Sequence, residues 1–346
     1  MTEQRKVIIY TEKSFLPEGK QPVILLYPFW EHPQSDVNDP DHGRFDDYLK
    51  NGKKLFDITD QPASADVFLM PFEFSFDEKT VIMTKELAAK AKQHGKKLMI
   101  FFNSDLDMEI PIENAIIFRT SFYKHLQKTY EYAFPGWSVD FMKLNNTADA
   151  DRSYSDKPII SYCGYVDYIT LAEKYNIRRI IKKAISKPDS PENIGPNLRG
   201  KAVRTLLKSD RVKTNFVIRN GFWAPGMDKK KAREEYVNNI FQSDYALVAR
   251  GGGNFSYRLL EVLSCGRIPV FINTDCVLPF DQYIDWKNYV LWIEEKDLNS
   301  IGERLLEFHK KMTPEELKKK KEECRKLYET WLSPLAFFSN IHKCLN

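Results

Sequence analysis

Short apolar runs alternate with polar, helix-forming stretches along the first 150 residues. The runs are continuously apolar, which is typical of strands that are covered on both faces. Between two of them, residues 79–97 have the composition of a helix, and Gly95 marks its end. The alternation predicts an α/β layer with a mainly parallel sheet. The predicted strands are residues 6–10, 22–29, 66–72, 96–102 and 114–120.

A polar, unpatterned stretch at residues 142–158 separates this region from a second series of the same kind. That series includes a basic helical stretch at residues 172–186. A last helix begins with a capping box at Thr313 and ends before Ser333. The predicted strands of the second series are residues 159–165, 201–209, 214–220, 244–250, 267–272 and 289–293.

We therefore expect three regions. An N-terminal α/β domain covers residues 1–150, and a second α/β domain covers residues 151–325. A helical tail covers residues 326–346. Two α/β halves joined by a linker are expected to hold their ligand in the cleft between them.

The composition narrows the class of protein. The chain carries 52 basic and 48 acidic residues, and this near balance argues against a nucleic-acid partner. The five cysteines lack metal-type spacing, which favours reduced thiols over a disulfide framework. No signal-peptide core begins the sequence and no apolar run reaches 18 residues, so we expect a cytoplasmic protein. Peripheral membrane association stays open.

The segment LVARGGGNFSYRLLEVLSCGRIPVFIN, residues 247–273, carries the clearest chemical information. A glycine-rich loop follows one predicted strand, and a predicted helix, residues 257–265, leads to the next. The loop thus lies at the carboxyl end of a strand, where open α/β sheets bind ligands. Close backbone amides, a helix N-terminus and an arginine together favour a phosphate. The residues of this predicted anion site are Arg250, Gly251, Gly252, Gly253 and Asn254.

Arg258 and Glu261 are three residues apart and share one face of the predicted helix. A carboxylate at this position could accept two ribose hydroxyls. Alternatively, the glycines only form a tight turn and the two side chains form a surface ion pair, because the loop is neither a full GxGxxG nor a P-loop. The following strand stops on Asn273 instead of an acidic residue, which disfavours a nicotinamide cofactor. Spacing alone leaves these alternatives open.

Residues 249–286 resemble the C-terminal signature of the exostosin-type glycosyltransferases. That signature is an arginine with glycines, then S-x-R-x-x-E, a G-x-I-P-V strand, LPF and an IDW-like segment. In this sequence the S-x-R-x-x-E part is Ser256, Arg258 and Glu261. Weaker similarities to the same family lie at residues 65–74 and in the helix from Thr313.

The resemblance implies a GT-B architecture, in which two Rossmann-like domains with parallel sheets face a central cleft and the C-terminal helix returns toward the first domain. It implies that residues 1–150 form the acceptor-side Rossmann-like domain and that residues 151–325 form the nucleotide-sugar-binding one. It implies inverting transfer from a UDP-sugar to a glycan or glycolipid acceptor, with no cofactor and no metal in the chemistry. Glu261 is then the expected ribose ligand, and Arg250 and Arg258 contact the diphosphate or the sugar. Ser256 bonds a phosphate or caps the helix. Animal members carry a Golgi anchor that this sequence lacks, so we expect a bacterial or viral enzyme of surface polysaccharide synthesis.

An inverting transfer also needs a general base and a stabilised leaving group. The candidate bases are Asp105 in the DLD segment, Glu73 after a predicted strand, and Glu31 in the WEH segment. For the leaving diphosphate, Arg219 near the end of a predicted strand joins Arg250. Two other functions stay open: a non-catalytic nucleotide-sugar-binding subunit that stabilises a partner transferase, and an α/β oxidoreductase.

Overall fold

The computed structural model describes residues 5–30, 37–144, 154–166, 191–221 and 224–345. The chain forms two compact units. The first unit comprises residues 1–139, 277–280 and 330–346, and the second comprises residues 140–276 and 281–329. The division therefore follows Val139, earlier than the expected boundary at residue 150, and residues 330–346 join the first unit instead of forming a separate tail.

The first unit is built on a parallel sheet in which the strand order is β2-β1-β3-β4-β5-β6. The order changes direction between β1 and β3, which makes the carboxyl ends of these two strands the switch point of the sheet. Two helices, α1 (Asp46–Asn51) and α2 (Glu78–Gln93), precede β2 and β4. The strands are β1 (Val7–Tyr10), β2 (Phe56–Thr59), β3 (Val67–Leu69), β4 (Leu98–Phe102), β5 (Ala115–Arg119) and β6 (Glu131–Ala133).

One prediction for this unit is wrong, and two strands were not predicted. Residues 22–29 were expected to form a strand, but Ile24–Leu26 form a short 3-10 helix whose two leucines are buried. A short apolar run is compatible with either structure when both of its faces are covered. The sequence pattern also missed β2 and β6, the two edge strands, because each is short and β2 carries polar residues on its partly exposed half.

The second unit contains another parallel sheet, with the strand order β11-β10-β9-β7-β8. Its order changes direction between β7 and β9, so the switch point lies at their carboxyl ends. The α/β class with two parallel sheets is thus confirmed. The strands are β7 (Ile159–Tyr165), β8 (Lys213–Arg219), β9 (Tyr245–Val248), β10 (Ile268–Asn273) and β11 (Leu291–Glu294).

The helices of the second unit connect these strands and cover the sheet. Residues Phe141–Leu144, at the start of the predicted linker, are helical. The strand predicted at residues 201–209 is wrong, because residues 201–208 belong to the helix Pro191–Lys208, whose buried Ala202, Val203 and Leu206 follow helical spacing. The basic stretch predicted as a helix at residues 172–186 lies outside the described residues. The described helices are α3 (Phe141–Leu144), α4 (Pro191–Lys208), α5 (Lys229–Phe241), α6 (Tyr257–Ser264), α7 (Ile301–Lys310) and α8 (Pro314–Leu327).

The predicted start of the last long helix is confirmed. The Thr313 hydroxyl accepts a hydrogen bond from the Glu316 amide at 3.2 Å, and the Glu316 carboxylate accepts one from the Thr313 amide at 2.8 Å. Past α8, Ser333 caps a final helix, α9 (Pro334–Asn340). This helix belongs to the first unit, where the Phe337 ring lies in the aromatic core, so the predicted return of the C-terminal helix is confirmed.

Candidate functional site

The glycine-rich loop leaves the carboxyl end of β9, beside the switch point of the second sheet. The loop closes on itself, because the Gly251 amide donates to the Phe255 carbonyl at 2.8 Å. Nη2 of the buried Arg250 donates to the Gly252 carbonyl at 3.1 Å. Arg250 therefore stabilises the conformation of the loop, and it also brings a positive charge to this edge of the sheet.

The conformation of the glycines bears on the tight-turn alternative. The left-handed glycines of the described backbone do not include Gly251, Gly252 or Gly253. A Cβ atom added to Gly251 would lie 3.6 Å from the Phe255 carbonyl oxygen, an ordinary van der Waals distance. Neither backbone strain nor packing thus requires glycine at position 251. Close approach of a ligand to the backbone is the other common reason for a glycine.

Two neighbouring segments hold the loop in place. Helix α4 approaches so closely that a Cβ atom on Gly195 would lie 2.1 Å from the Gly251 carbonyl oxygen. On the other side, the Asn254 side-chain amide donates to the Thr274 carbonyl at 3.1 Å and accepts from the Thr274 hydroxyl at 2.7 Å. Asn254 is 1% exposed, so its position favours a structural role in anchoring the loop.

Helix α6 begins and ends close to the predicted residues. Ser256 occupies the N-cap position, but within the described chain its hydroxyl makes no capping hydrogen bond. At the other end, Gly266 is left-handed, with φ of 58°. The Gly266 amide donates to the Leu263 carbonyl at 2.9 Å and the Arg267 amide donates to the Val262 carbonyl at 3.0 Å, which is the Schellman arrangement. The predicted stop at Gly266 is confirmed.

Arg258 and Glu261 are joined through a third side chain, Tyr236 of α5. The Tyr236 hydroxyl donates to Oε2 of Glu261 and accepts from Nε of Arg258 at 3.1 Å. Nη2 of Arg258 also donates to the Cys163 carbonyl at 2.6 Å, at the carboxyl end of β7. A Cβ atom on Gly164 would lie 2.9 Å from this nitrogen, so glycine leaves room for the guanidinium.

This hydrogen-bonded group is largely enclosed. The Glu261 side chain is only 10% exposed, and its Oε1 lies 3.7 Å from Nη1 of Arg233. Burial, together with the nearby Glu261 carboxylate, raises the pKa of Tyr236 well above its ordinary value, although the charge of Arg258 opposes the shift. Tyr236 is therefore a neutral hydrogen-bonding group. A simple surface ion pair between Arg258 and Glu261 does not describe this arrangement.

Arginines concentrate around the same edge of the sheet. Nη2 of Arg219, at the end of β8, donates to Oε2 of Glu235 at 2.9 Å and to the Ala232 carbonyl at 2.8 Å. The buried Arg199 of α4 donates from Nη1 to the Tyr165 carbonyl, at the end of β7, at 3.1 Å. The described residues thus bring five guanidinium groups to this edge: those of Arg199, Arg219, Arg233, Arg250 and Arg258.

The sequence analysis missed Arg199, Arg233 and Tyr236. Arg233 lies in the second turn of α5, whereas Arg199 and Tyr236 lie near the middle of α4 and α5. Their side chains reach this edge through the packing of the two helices, so the local sequence pattern does not reveal them. Helix α5 was difficult to predict because it is mostly polar, and only a few of its residues are buried.

Glu73 lies at the corresponding edge of the first sheet, after β3 and next to the switch point between β1 and β3. Burial raises the pKa of its carboxyl to about 6, although a hydrogen bond with Asn103 acts in the opposite direction. The Glu73 charge in turn contributes, after burial, to a raised pKa of Tyr27. Glu73 is therefore a partly desolvated carboxylate that titrates close to neutrality.

The other two candidate bases differ from Glu73. Asp105 is exposed and lies on a loop after β4. The buried Arg119 stabilises this loop, because its Nη2 donates to the Leu106 and Met108 carbonyls at 3.2 and 2.9 Å. Glu31 lies outside the described residues. The environment of Glu73 favours it over Asp105 as a base.

Two features are absent from the residues that the structure describes. No group of three or more histidine, cysteine, aspartate or glutamate side chains in these ranges is placed to hold a metal ion. No helix within the same ranges is long and apolar enough to cross a membrane. Metal-independent chemistry stays a prediction.

Residues 192–308 match the family model for the exostosin GT47 domain. An exostosin-1 homolog of Caenorhabditis elegans is 32% identical over 108 residues, which cover 31% of this chain and 27% of that protein. Exostosin-1 of Drosophila melanogaster is 39% identical over 69 residues, which cover 20% of this chain and 9% of that protein.

Two further similarities were found. A probable glucuronosyltransferase of Oryza sativa subsp. japonica is 31% identical over 112 residues, which cover 32% of this chain and 24% of that protein. A sucrose-phosphate synthase structure from Thermosynechococcus elongatus aligns with a TM-score of 0.35 and 12% identity, over 98% of both chains. The matched part of this chain spans about a quarter or less of the length of each of the three curated relatives.

The family match contains most of the candidate site. It runs from the start of α4 into α7 and includes the five arginines, Tyr236, the glycine loop and Glu261. The segments at residues 65–74 and after Thr313, which resemble the family more weakly, lie outside the match. Residues 192–308 are thus similar to the exostosin GT47 domain, and this similarity includes the candidate site.

Proposed function

We propose that this protein is an inverting glycosyltransferase that moves a sugar from a UDP-sugar donor to a glycan or glycolipid acceptor in the synthesis of a surface polysaccharide or glycoconjugate. The observation that carries the proposal is the carboxyl edge of the second sheet. Five arginines, a glycine loop and a largely enclosed carboxylate meet there at the switch point, inside the segment that matches the family. An edge of this composition suits a ligand with a diphosphate and a ribose.

On the donor side, each group has a proposed role. The hydroxyl of Tyr236 engages Oε2 of Glu261. We assign Oε1 of Glu261, which lies near Arg233, to the ribose hydroxyls. The amides of the glycine loop, the Ser256 hydroxyl and Arg250 face the diphosphate, and Arg258 and Arg219 add positive charge nearby. This preorganised charge would stabilise the leaving UDP without a metal ion.

On the acceptor side, we propose Glu73 as the general base. A base works best when its pKa lies near the operating pH. With a pKa of about 6, the Glu73 carboxyl is mostly ionised at neutral pH and still a stronger base than an exposed carboxylate. In the inverting step, the acceptor oxygen forms a bond to the anomeric carbon, the bond to the UDP oxygen breaks, and Glu73 takes the hydroxyl proton.

A thermal-shift titration tests the donor site. The purified protein is heated with UDP, GDP, CMP, NAD and a panel of UDP-sugars, each with and without a chelator. We expect UDP and at least one UDP-sugar to raise the melting temperature in the presence of chelator, and Glu261→Ala to remove the shift. Glu303→Ala, an exposed carboxylate on α7, is the matched control and should leave it unchanged.

The other outcomes separate the competing functions. Stabilisation by a UDP-sugar without transfer to any acceptor of a broad panel would favour a non-catalytic binding subunit. A response to NAD alone would favour an oxidoreductase. A uridine response that survives Glu261→Ala would remove Glu261 from the proposed site.

A further inference from the structure

A second pocket lies at the opposite edge of the first sheet, within the first unit. It has a volume of about 670 Å³, a size typical of small-molecule sites. The strand residues that line it stand at the amino ends of β1 and β2, whereas Glu73 follows the carboxyl end of β3. The pocket is therefore separate from the proposed base. Its lining is Arg5, Lys6, Val7, Lys53, Lys54, Leu55, Phe56, Phe338, Ser339 and His342.

The lining is strongly cationic. It contains four permanent cations, and no carboxylate belongs to this described lining. Arg5 pairs with Asp66 and Lys6 pairs with Asp57, both at 2.9 Å. Both pairs are largely exposed and contribute little stability, so an anion can compete for these cations at low cost.

Lys53 and Lys54 account for the net positive charge of the pocket. In the described part of the chain, neither lysine lies within ion-pair distance of a carboxylate, and Lys54 donates only to the amide oxygen of Asn51, at 3.0 Å. With Asp57 and Asp66 counted against the four cations, two positive charges remain uncompensated at the pocket.

The two lysines are carried by a fixed turn. They belong to a 3-10 turn, Gly52–Lys54, that connects α1 directly to β2. A Cβ atom on Gly52 would lie 2.5 Å from Cγ of Pro28 and 2.9 Å from Cε2 of Tyr48, so the turn is packed tightly on its inner side. The Tyr48 ring stacks on Phe338 of α9 at 4.4 Å. The cations are thus presented by packed elements.

We propose that this pocket binds a phosphate monoester. Lysine and arginine side chains bind phosphate oxygens through strong, charge-assisted hydrogen bonds. The two uncompensated positive charges complement a dianion, and the apolar side chains of Val7 and Leu55 offer contact area for the carbon skeleton next to the phosphate. The proposal does not depend on the transferase function, because the pocket shares no residue with the donor site.

The ester could belong to a soluble molecule or to the headgroup of a membrane lipid, and two assays on the full chain distinguish these sources. The first is calorimetric titration with glycerol 3-phosphate and with inorganic phosphate. The second is flotation with phosphatidylcholine vesicles that contain or lack phosphatidic acid, whose headgroup is the same glycerol 3-phosphate ester.

The variants isolate the pocket from the overall charge. Lys53→Gln with Lys54→Gln removes two exposed charges from the lining, and we expect at least about a tenfold loss of binding. Lys318→Gln with Lys319→Gln, on exposed positions of α8, removes the same charge elsewhere and should bind like the wild type. The UDP-induced thermal shift should be unchanged in both variants.

The outcomes decide the proposal and its source. Binding of glycerol 3-phosphate that is lost in the first variant supports a soluble ester. Binding only to vesicles with phosphatidic acid, lost in the same variant, supports a lipid headgroup. The proposal is overturned if the wild type binds neither probe, or if both lysine pairs affect binding equally.

Discussion

The first five strands of each sheet follow the same spatial order, but the side chains at the carboxyl edges of the two sheets carry opposite charge. The switch points lie between β1 and β3 in one sheet and between β7 and β9 in the other. Beside the first lie Glu73 and a loop rich in exposed carboxylates, whereas five arginines surround the second. The shared topology therefore gives two equivalent crevices that differ in their side chains, and we assign the proposed acceptor hydroxyl to the acidic edge and the proposed diphosphate to the edge with the arginines.

Each edge also uses an arginine to hold backbone carbonyls, but in different surroundings. Arg119 in the first unit is 2% exposed and lies behind its loop, with Nη1 at 3.5 Å from Glu131. Arg258 in the second unit holds the Cys163 carbonyl and bonds to Tyr236, which reaches Glu261. The first arginine is therefore a structural support, whereas the second extends into the proposed donor site.

The largest expected effect tests the chemistry of the first edge. Glu73→Gln removes the proposed base while preserving the shape of the side chain, so we expect transfer to fall by about 10²–10⁴-fold. UDP binding should be unchanged. In the wild type, kcat/KM should fall as the pH drops below about 6, because protonation of Glu73 removes the base. Initial rates of UDP release with the best acceptor, measured across pH, check both expectations.

Asp105→Asn is the matched control for this experiment. Asp105 is exposed and lacks the desolvation that characterises Glu73, so its amide variant should keep most of the activity. If Asp105→Asn abolishes transfer while Glu73→Gln does not, the base is on the loop after β4 and the role proposed for Glu73 is wrong.

The second-largest expected effect is a loss of stability when Arg119, which supports the loop at the first edge, is replaced. Arg119→Ala leaves Glu131, which is 5% exposed, as a buried carboxylate without its ion-pair partner. Breaking a buried pair in this way costs about 3–5 kcal/mol of the free energy of unfolding. Urea denaturation measures the loss. Replacing both residues by methionine should recover much of it, because no buried charge is then left.

Lys128→Ala provides the comparison for Arg119. The Lys128 side chain pairs with Glu109, and both side chains are more than half exposed. Its removal should change the free energy of unfolding by less than about 1 kcal/mol. An equal loss in the two variants would contradict the distinction between a buried support and an exposed ion pair.

The difference between the edges also explains what the sequence could predict. Strands β4, β9 and β10 are continuously apolar and were predicted, and the loop before Ser256 was located by its glycines. The raised pKa of Glu73 depends on its burial in the folded unit, and no local pattern encodes it. The role of Tyr236 depends on how the polar helix α5 packs, which is also a tertiary property.

A third test concerns two glycines in contact at the second edge. Gly251→Ala meets no close atom within the described chain, so the free energy of unfolding should change by no more than about 1 kcal/mol. UDP affinity should nevertheless fall by roughly tenfold, if the added methyl group keeps the ligand from the backbone. Gly195→Ala should instead destabilise the fold, because its Cβ atom would lie 2.1 Å from the Gly251 carbonyl oxygen. Unchanged UDP affinity in Gly251→Ala would mean that the loop is a plain turn and that its backbone does not contact the ligand.

The smallest expected effect tests whether the Tyr236 hydroxyl positions Glu261 or only stabilises the fold. Tyr236→Phe keeps the ring, which packs edge-on against Phe141 at 5.9 Å, and removes only the hydroxyl that joins Arg258 to Glu261. We expect calorimetry to show a fivefold to tenfold weaker UDP affinity, equivalent to about 1–1.4 kcal/mol. This value corresponds to the loss, at Glu261, of the one hydrogen bond that Tyr236 donates, while the carboxylate itself stays in place.

A double-mutant cycle shows whether Tyr236 acts through Glu261. If it does, adding Tyr236→Phe to Glu261→Ala should weaken UDP binding no further, because the positioned carboxylate is already absent. Tyr245→Phe is the matched control, since the Tyr245 hydroxyl is also buried and donates to Nδ1 of His309 at 2.9 Å, but at the amino end of β9. It should lower the free energy of unfolding while leaving UDP affinity intact. Additive losses in the cycle, or an equal loss of affinity in Tyr245→Phe, would mean that the Tyr236 hydroxyl stabilises the second unit as a whole and does not position Glu261.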